Sequence, residues 1–364
     1  MGRGYLERVI LGEERGLLSW AVRGFAWPLS IVYRSGLCLY LWPYRVGLRK
    51  KCKLPATVIS IGNLTFGGTG KTPAVEKVCR ILTGLGLSVA ILSRGYGSRT
   101  RGSLIVSDGN SIFASVDQCG DESLVLAQSL PGIPVVVGKD RRASGRLACE
   151  KFNSQVLVLD DGFQYWQLDR DLDIVIIDGS RPFGSGYIMP SGNLREPITG
   201  LRRARAVLIN STNSAAAAVE DSKRKVQRIA PAASIFVCRR KPVRIRKVDG
   251  SIFDLSWLRG RRVVAFCGIG NPRSFFDTLV SIGAVLCESI AFPDHHVYSD
   301  AEIEQLLIRL GANRADALLT TAKDAVRLKN SQRIKDLYVL DIVLEIDEEH
   351  QFTELLKSVI NKPC

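Results

Sequence analysis

Residues 58–73 read Val-Ile-Ser-Ile-Gly-Asn-Leu-Thr-Phe-Gly-Gly-Thr-Gly-Lys-Thr-Pro. An apolar, β-branched run stops at Gly62, a glycine-rich turn follows, and Lys71-Thr72 leads into a segment opened by Pro73. There Val75, Val78, Ile81 and Leu82 recur at helical spacing. Strand, glycine turn and helix in that order are what a phosphate-binding loop requires. Glycines let consecutive backbone N–H groups converge on anionic oxygens, and the helix N-terminus adds the positive end of its dipole. Lys71 reaches the outer phosphates, and the Thr72 hydroxyl suits Mg²⁺. The strict G-x-x-x-x-G-K-[ST] pattern is broken by Thr65 at its first glycine position, while Gly67, Gly68, Gly70, Lys71 and Thr72 keep the rest. The stretch predicts a nucleoside triphosphate site.

Further along, 88–93, 134–138, 155–159, 173–178 and 206–210 are short, apolar, β-branched runs separated by helical stretches. Such runs predict an α/β fold, a P-loop NTPase-like, mostly parallel sheet flanked by helices on both faces. Ligands in these sheets bind beyond the strands' carboxyl ends, where Lys71, Asp160 and Asp161 would lie. A magnesium nucleotide site needs a carboxylate at the end of a strand neighbouring the loop. Val156-Leu157-Val158-Leu159-Asp160-Asp161 supplies two, with Gln164 close behind. One acid would hold the metal while the other orients a reacting group; a helix cap and its solvated partner is the plainer alternative.

At 364 residues the chain is long enough for two domains, and 46% hydrophobic with 24% charged residues is ordinary for a globular protein. Composition shifts to alanine, serine and charge over 211–233; 236–252 alternates and is strongly basic; a second α/β unit begins near Arg261. The expected division is an N-terminal segment 1–50, a P-loop core 51–234, a connecting ribbon 235–255, and a smaller C-terminal α/β domain 256–364.

Fifty Lys+Arg against 36 Asp+Glu give +14, a field that favours nucleic acid, an anionic membrane surface or a phosphorylated substrate. No nucleic-acid reading module is recognisable and the basic residues are spread along the chain, so no nucleic-acid partner is expected. The nine cysteines form no Cys-x-x-Cys pair. This argues against zinc or a disulfide framework and for a reducing compartment.

From Leu17 to Tyr44 the chain is dense in apolar and aromatic residues, including Trp20, Phe25, Trp27, Tyr33, Tyr40 and Trp42, interrupted by Arg23 and Arg34. The run is too interrupted to span a bilayer, Pro28 is expected to break the helix, and a secretory signal is disfavoured. Arg45, Arg49, Lys50, Lys51 and Lys53 follow at once. Aromatic residues beside a basic cluster suit a segment lying among anionic lipid headgroups. Packing on the protein's own core is the alternative.

Gly120-Asp121-Glu122 opens a helix-like stretch, and acids there are common for dipole reasons alone, so spacing reads them as structural. Among three histidines, His295 follows Asp294 in a loop and offers a reasonable acid–base element.

Taken together, Ile61-Gly62-Asn63 with Gly67-Gly68-Thr69-Gly70-Lys71-Thr72-Pro73, Ser93-Arg94-Gly95-Tyr96-Gly97, Gly120-Asp121-Glu122, Asp160-Asp161-Gly162-Phe163-Gln164, Leu194-Arg195-Glu196-Pro197, Gly268-Ile269-Gly270-Asn271-Pro272, Phe292-Pro293-Asp294-His295 and Lys323-Asp324-Ala325-Val326 resemble the tetraacyldisaccharide 4'-kinase family of lipid A biosynthesis. These motifs follow the family's order over most of the chain. Thr65 is usual in that family; Tyr165 departs from it, since many members carry histidine there.

The resemblance implies ATP-dependent phosphorylation of the 4'-hydroxyl of an acylated glucosamine disaccharide 1-phosphate at the cytoplasmic face of the bacterial inner membrane. It implies nucleotide binding by Thr65, Gly67, Gly68, Thr69, Gly70, Lys71 and Thr72, and Mg²⁺ near Thr72, Asp160, Asp161 and Gln164. Asp121 becomes the candidate base paired with His295, with Lys71 and Asp161 also catalytic. Asn63, Glu122, Arg195 and Glu196 become substrate-side groups. The rival reading is a membrane-associated P-loop ATPase switch of the partitioning or targeting type, which leaves the Asp294-His295 loop and the second α/β unit without a purpose. Oligomeric state is left open.

Overall fold

The computed structural model describes residues 5–14, 16–98, 100–212, 214–328 and 334–360. Two helices, α1 (Tyr5–Leu11) and α2 (Leu17–Arg45), precede the sheet. The first unit then runs β1 (Thr57–Gly62), α3 (Lys71–Gly84), β2 (Val89–Ser93), β3 (Ser103–Ser107), α4 (Val116–Cys119), α5 (Asp121–Ser129), β4 (Val135–Gly138), α6 (Arg141–Phe152), β5 (Val156–Asp160), β6 (Leu172–Asp178), β7 (Ala206–Asn210), α7 (Ala216–Ile229) and β8 (Ser234–Lys247). The second runs β9 (Ile252–Phe253), β10 (Arg262–Cys267), α8 (Pro272–Ile282), β11 (Val285–Ala291), α9 (Asp300–Ala312), β12 (Ala317–Thr321), α10 (Ala322–Ala325), β13 (Leu337–Ile346) and α11 (Glu349–Ile360).

Among the described residues the strands form one sheet ordered β11-β10-β12-β13-β8-β7-β6-β1-β5-β2-β4-β3, with β9 paired to β8. Its central strands are parallel and mostly apolar, as the sequence runs predict. Alternation assigns each side chain to a face. Ile59 and Ile61 pack with Ala74, Val75 and Val78 of α3, whereas Val58, Leu157 and Leu159 pack with Ala148 of α6. Burial on both faces fixes the register, so Ile61 lies opposite Asp160.

β8 explains the basic alternation of 236–252. Its first residues pair in parallel with β7, and residues from Cys238 onward pair antiparallel with β13. This two-stranded bridge carries cross-strand ion pairs, Lys241 to Glu345 at 2.7 Å and Arg244 to Asp341 at 2.9 Å. The last helix, α11, falls within the span 256–364 yet lies on the first unit. Phe352, Leu356 and Val359 join the core that holds Ile59 and Val75, and Phe352 meets Phe236 edge to face at 5.2 Å. An amphipathic pattern announces an apolar face but not what that face will cover.

Pro28 does not break the N-terminal helix: α2 runs through both Pro28 and Pro43. A helix this long absorbs a local cost of about 3 kcal/mol. It buries Leu41 and Tyr44 but turns much of its apolar surface outward. Leu17, Phe25 and Leu39 are 92%, 85% and 75% exposed, whereas Ser30 is buried against the protein. No helix among the described residues is long and apolar enough to cross a membrane.

Candidate active site

The loop after β1 is held from several sides. Gly62 must be glycine, because a Cβ there would stand 2.6 Å from Phe163 Cβ. Asn63 Nδ2 donates to Thr69 Oγ1 at 3.1 Å and Asn210 Nδ2 donates to the Thr69 carbonyl at 3.0 Å. Thr65 forms an antiparallel bridge with Leu194, and the Phe66 amide donates to the Asn193 carbonyl at 2.8 Å. Gly70, at φ +101°, caps α3, which begins with Lys71 and Thr72. A left-handed cap costs a glycine little and leaves the first helical N–H groups free for an anion.

Asp160 and Asp161 end β5, beside β1, as expected. Asp160 is buried; its Oδ2 accepts from Ser93 Oγ at 3.1 Å, and its Oδ1 has no hydrogen-bond partner. Burial first, then the negative charges of Glu122 and Asp161, push this carboxyl up to about 7. Asp161 turns the other way, with φ +53°. Arg195 Nη1 lies 2.8 Å from it and Lys71 Nζ 3.8 Å. Burial would raise its pKa, but Lys71 and Arg195 outweigh that and hold it below the ordinary carboxylate value.

Gln164, expected near the metal, spends its amide elsewhere. Nε2 donates to the Asn63 carbonyl at 2.9 Å and to Glu196 Oε1 at 2.8 Å, and Oε1 accepts from Arg195 at 3.3 Å. Glu196, buried, is clamped by Arg203 at 2.6 Å. Asn63, Gln164, Arg195 and Glu196 thus form one network bracing Asp161. Among the described residues no group of three or more His, Cys, Asp or Glu could hold a metal. A divalent ion would therefore take part of its shell from phosphate. The all-oxygen donors here, with an unpaired buried Asp160 Oδ1, fit a hard cation such as Mg²⁺.

Opposite the loop, the two units meet at the first turn of α5. His295 Nδ1 lies 2.9 Å from Asp121 Oδ2. Arg327 Nε donates to the same oxygen at 2.9 Å, and Oδ1 accepts the Glu122 amide at 2.8 Å. Lys323 and Glu122 pair at 2.5 Å. Spacing alone reads Asp121 and Glu122 as first-turn acids; the fold gives them partners 174 and 201 residues away. Behind Arg327, the fully buried Asp324 accepts from the Gly268 amide at 2.9 Å, Tyr298 Oη at 2.9 Å and Thr321 Oγ1 at 2.6 Å. Burial would raise the Asp121 pKa, but His295 and Arg327 hold it well below the carboxylate range. Its hydrogen bond in turn raises that of His295. This turn faces the loop electrostatically, since Glu122 interacts with both Lys71 and Asp160.

Sequence reasoning gives no role to Asn210, Arg203 and Arg327, nor to Ser93 and Lys323 although both stand in the quoted motifs. Lys323 and Arg327 left a signal, because two cations four residues apart share one side of a helical turn and match the adjacent acids at 121–122. Asn210 left none.

A phosphate loop between the first strand and helix of a mostly parallel sheet, with acids closing the next strand, defines a P-loop nucleotide-dependent kinase fold. The particular family follows from comparison with known proteins. Residues 22–361 match the family model described as Tetraacyldisaccharide-1-P 4'-kinase, and the chain belongs to that family. It is 40% identical to the tetraacyldisaccharide 4'-kinase of Syntrophus aciditrophicus (strain SB), covering 91% of each chain. To the enzyme of the same name from Pelobacter propionicus it is 37% identical, covering 98% of each. Among solved structures, LpxK from Aquifex aeolicus in complex with ATP superposes with a TM-score of 0.77 at 31% identity, over 93% of this chain and 99% of that one.

Proposed function

We propose that this chain transfers the γ-phosphoryl group of ATP to the 4'-hydroxyl of tetraacyldisaccharide 1-phosphate, the lipid A precursor. The observation that carries the reading is the placement of an Asp–His pair, at 2.9 Å, across from a phosphate loop and two strand-end acids. A switch that only hydrolyses ATP has no use for that pair.

Gly67–Thr72 amides and the Lys71 ammonium hold the triphosphate and offset charge on the transferring group. Thr72, Asp160 and Asp161 would hold Mg²⁺, with Gln164 bracing them from behind. Bound there, the ion neutralises charge on the phosphate oxygens. A sugar hydroxyl is a poor nucleophile, so its proton must leave as the new bond forms. The Asp121–His295 pair takes that proton as one element: Asp121 fixes the tautomer and supports the positive charge that His295 acquires. Arg327 and the Glu122 amide keep the Asp121 carboxylate in place. Of the four substrate-side candidates only Glu122 stands on the acceptor side, while the buried Asn63 and Glu196 act with Arg195 from behind Asp161.

The acceptor's acyl chains remain in lipid. The exposed apolar face of α2, followed by the basic run 45–53, supports attachment to the anionic cytoplasmic face of the bacterial inner membrane without spanning it. Incubation with radiolabelled ATP and the acylated disaccharide phosphate in detergent tests the reading. Label on lipid is the expected result; ATP loss without transfer would replace the kinase with the switch.

A further inference from the structure

α2 does more than expose an apolar face. Its inner side carries two hydroxyls that grip residues 188–195. Ser30 Oγ bonds Ser191 Oγ at 2.8 Å and donates to the Ile188 carbonyl at 3.0 Å, and it accepts the Ser191 amide at 3.1 Å. Tyr33 Oη donates to the Arg195 carbonyl at 2.8 Å. Both Ser30 and Ser191 are buried, so the Ser30 bonds are shielded from competing water, whereas the Tyr33 bond lies at the exposed edge of the contact.

The far edge of the same segment is stitched to the phosphate loop. The Arg195 amide donates to the Leu64 carbonyl at 2.8 Å, the Phe66 amide donates to the Asn193 carbonyl at 2.8 Å, and Thr65 bridges Leu194. The Arg195 side chain stacks over Phe66 at 4.6 Å and contacts both oxygens of Asp161 at 2.8 Å. Asp161 in turn lies 3.8 Å from Lys71. The backbone and Arg195–Asp161 links are hydrogen bonds at 2.8 Å, and the last link, Asp161 to Lys71, is an ion pair at 3.8 Å.

We propose that Ser30 and Tyr33 are positioning residues for the nucleotide site: through the 188–195 strap they hold the Arg195 backbone so that its guanidinium holds Asp161 beside Lys71. The helix that carries the exposed apolar face thereby also sets the geometry around the phosphates. The inference rests on reading the loop as an ATP site, but not on the identity of the phosphoryl acceptor.

The test measures binding of a fluorescent N-methylanthraniloyl ATP analogue to the full chain and to Tyr33→Phe, Ser30→Ala and their double variant. Tyr33→Phe removes one hydroxyl and keeps the ring, so it folds whether or not Ser30→Ala does. The expected result is affinity weaker by about threefold to tenfold, the net worth of one or two hydrogen bonds. Flotation with phosphatidylcholine–phosphatidylglycerol vesicles stays unchanged. Placed in an Arg195→Lys background, Tyr33→Phe has no further effect, because the two act through one route. Unaltered affinity in Tyr33→Phe, or the same loss in both backgrounds, overturns the proposal. An analogue that does not bind the unsubstituted chain removes the ATP-site reading itself; analogue binding without label on the lipid acceptor removes only the kinase reading.

Discussion

Replacing Asp121 with Asn keeps the size of the side chain and deletes its charge. One oxygen of Asp121 accepts from His295 and Arg327, the other from the Glu122 amide. The Glu122 bond survives in the amide, while an NH2 group then faces two donors. Arg327 loses its ion pair, yet keeps the Gly268 carbonyl at 2.9 Å and Asp324 at 3.4 Å. Breaking a buried pair costs about 3–5 kcal/mol when the survivor is left alone, so the remaining contacts hold the loss of stability to the lower end. Catalysis pays more heavily: a positioned proton acceptor contributes roughly a hundredfold to ten-thousandfold, or about 3–5.5 kcal/mol. No Asp121 contact reaches the loop directly, so ATP affinity should stay within about twofold. Single-turnover label transfer to the acylated disaccharide gives the chemical step, and analogue titration gives binding. His295→Ala should lose a similar factor, and the double variant little more than either single one. Transfer within about tenfold of the unsubstituted chain, or ATP affinity falling in parallel, refutes the proton-acceptor role.

Three further outcomes follow from the same geometry. Asp160 is a buried acid whose carboxyl is pushed up to about 7, so its ionisation costs stability increasingly as pH rises from the ordinary carboxylate value toward neutrality. Asp160→Asn should raise the Tm without magnesium at pH 8 and abolish magnesium-dependent transfer; calorimetry beside a magnesium titration checks both. Because Asp121 raises the His295 pKa, the acid limb of kcat/KM should lie above the ordinary imidazole value of about 6.5. Activity is lost as pH falls through it, and a pH profile of Asp121→Asn should show the residual limb shifted to lower pH. Replacing Trp20, Phe25 and Trp27 together by Ser removes apolar surface that is 62%, 85% and 59% exposed, each side chain worth about 2–3 kcal/mol when buried in lipid. Vesicle flotation should be lost and KM for the lipid acceptor should rise, with analogue binding preserved.

Much of this site was legible because its chemistry is local. Strand, turn and helix around Lys71, and the acids closing 156–159, are each set by a few consecutive residues whose backbone needs are visible in their types. What stayed hidden depends on distance in sequence. Asn210 ends a strand like several others, and its bond to the Thr69 carbonyl exists because β7 lies one strand beyond β6. Arg327 looks like a solvated cation until the second unit folds over α5. α11 carried a readable apolar stripe, but nothing in it named the first unit as its partner. Pro28 misled because the breaking rule weighs the proline alone and not the length of the helix that absorbs its cost.

Among the described residues, Asn153, Asp161, His295 and Arg314 are the non-glycine positions with positive φ. Two of them are site residues, one from each unit. A left-handed backbone costs a non-glycine residue about 1–3 kcal/mol unless its surroundings impose it. At Asp161 the imposing contacts are Arg195 and Lys71; at His295 they are Asp121, Arg327 and the Gly268 carbonyl, which accepts the His295 amide at 3.3 Å. Glycine would relieve both strains and lose both functional groups, so the strain accompanies the chemistry. At each position contacts distant in sequence hold the conformation, joined at His295 by its neighbour Asp294, whose Oδ1 accepts the His295 amide at 3.0 Å.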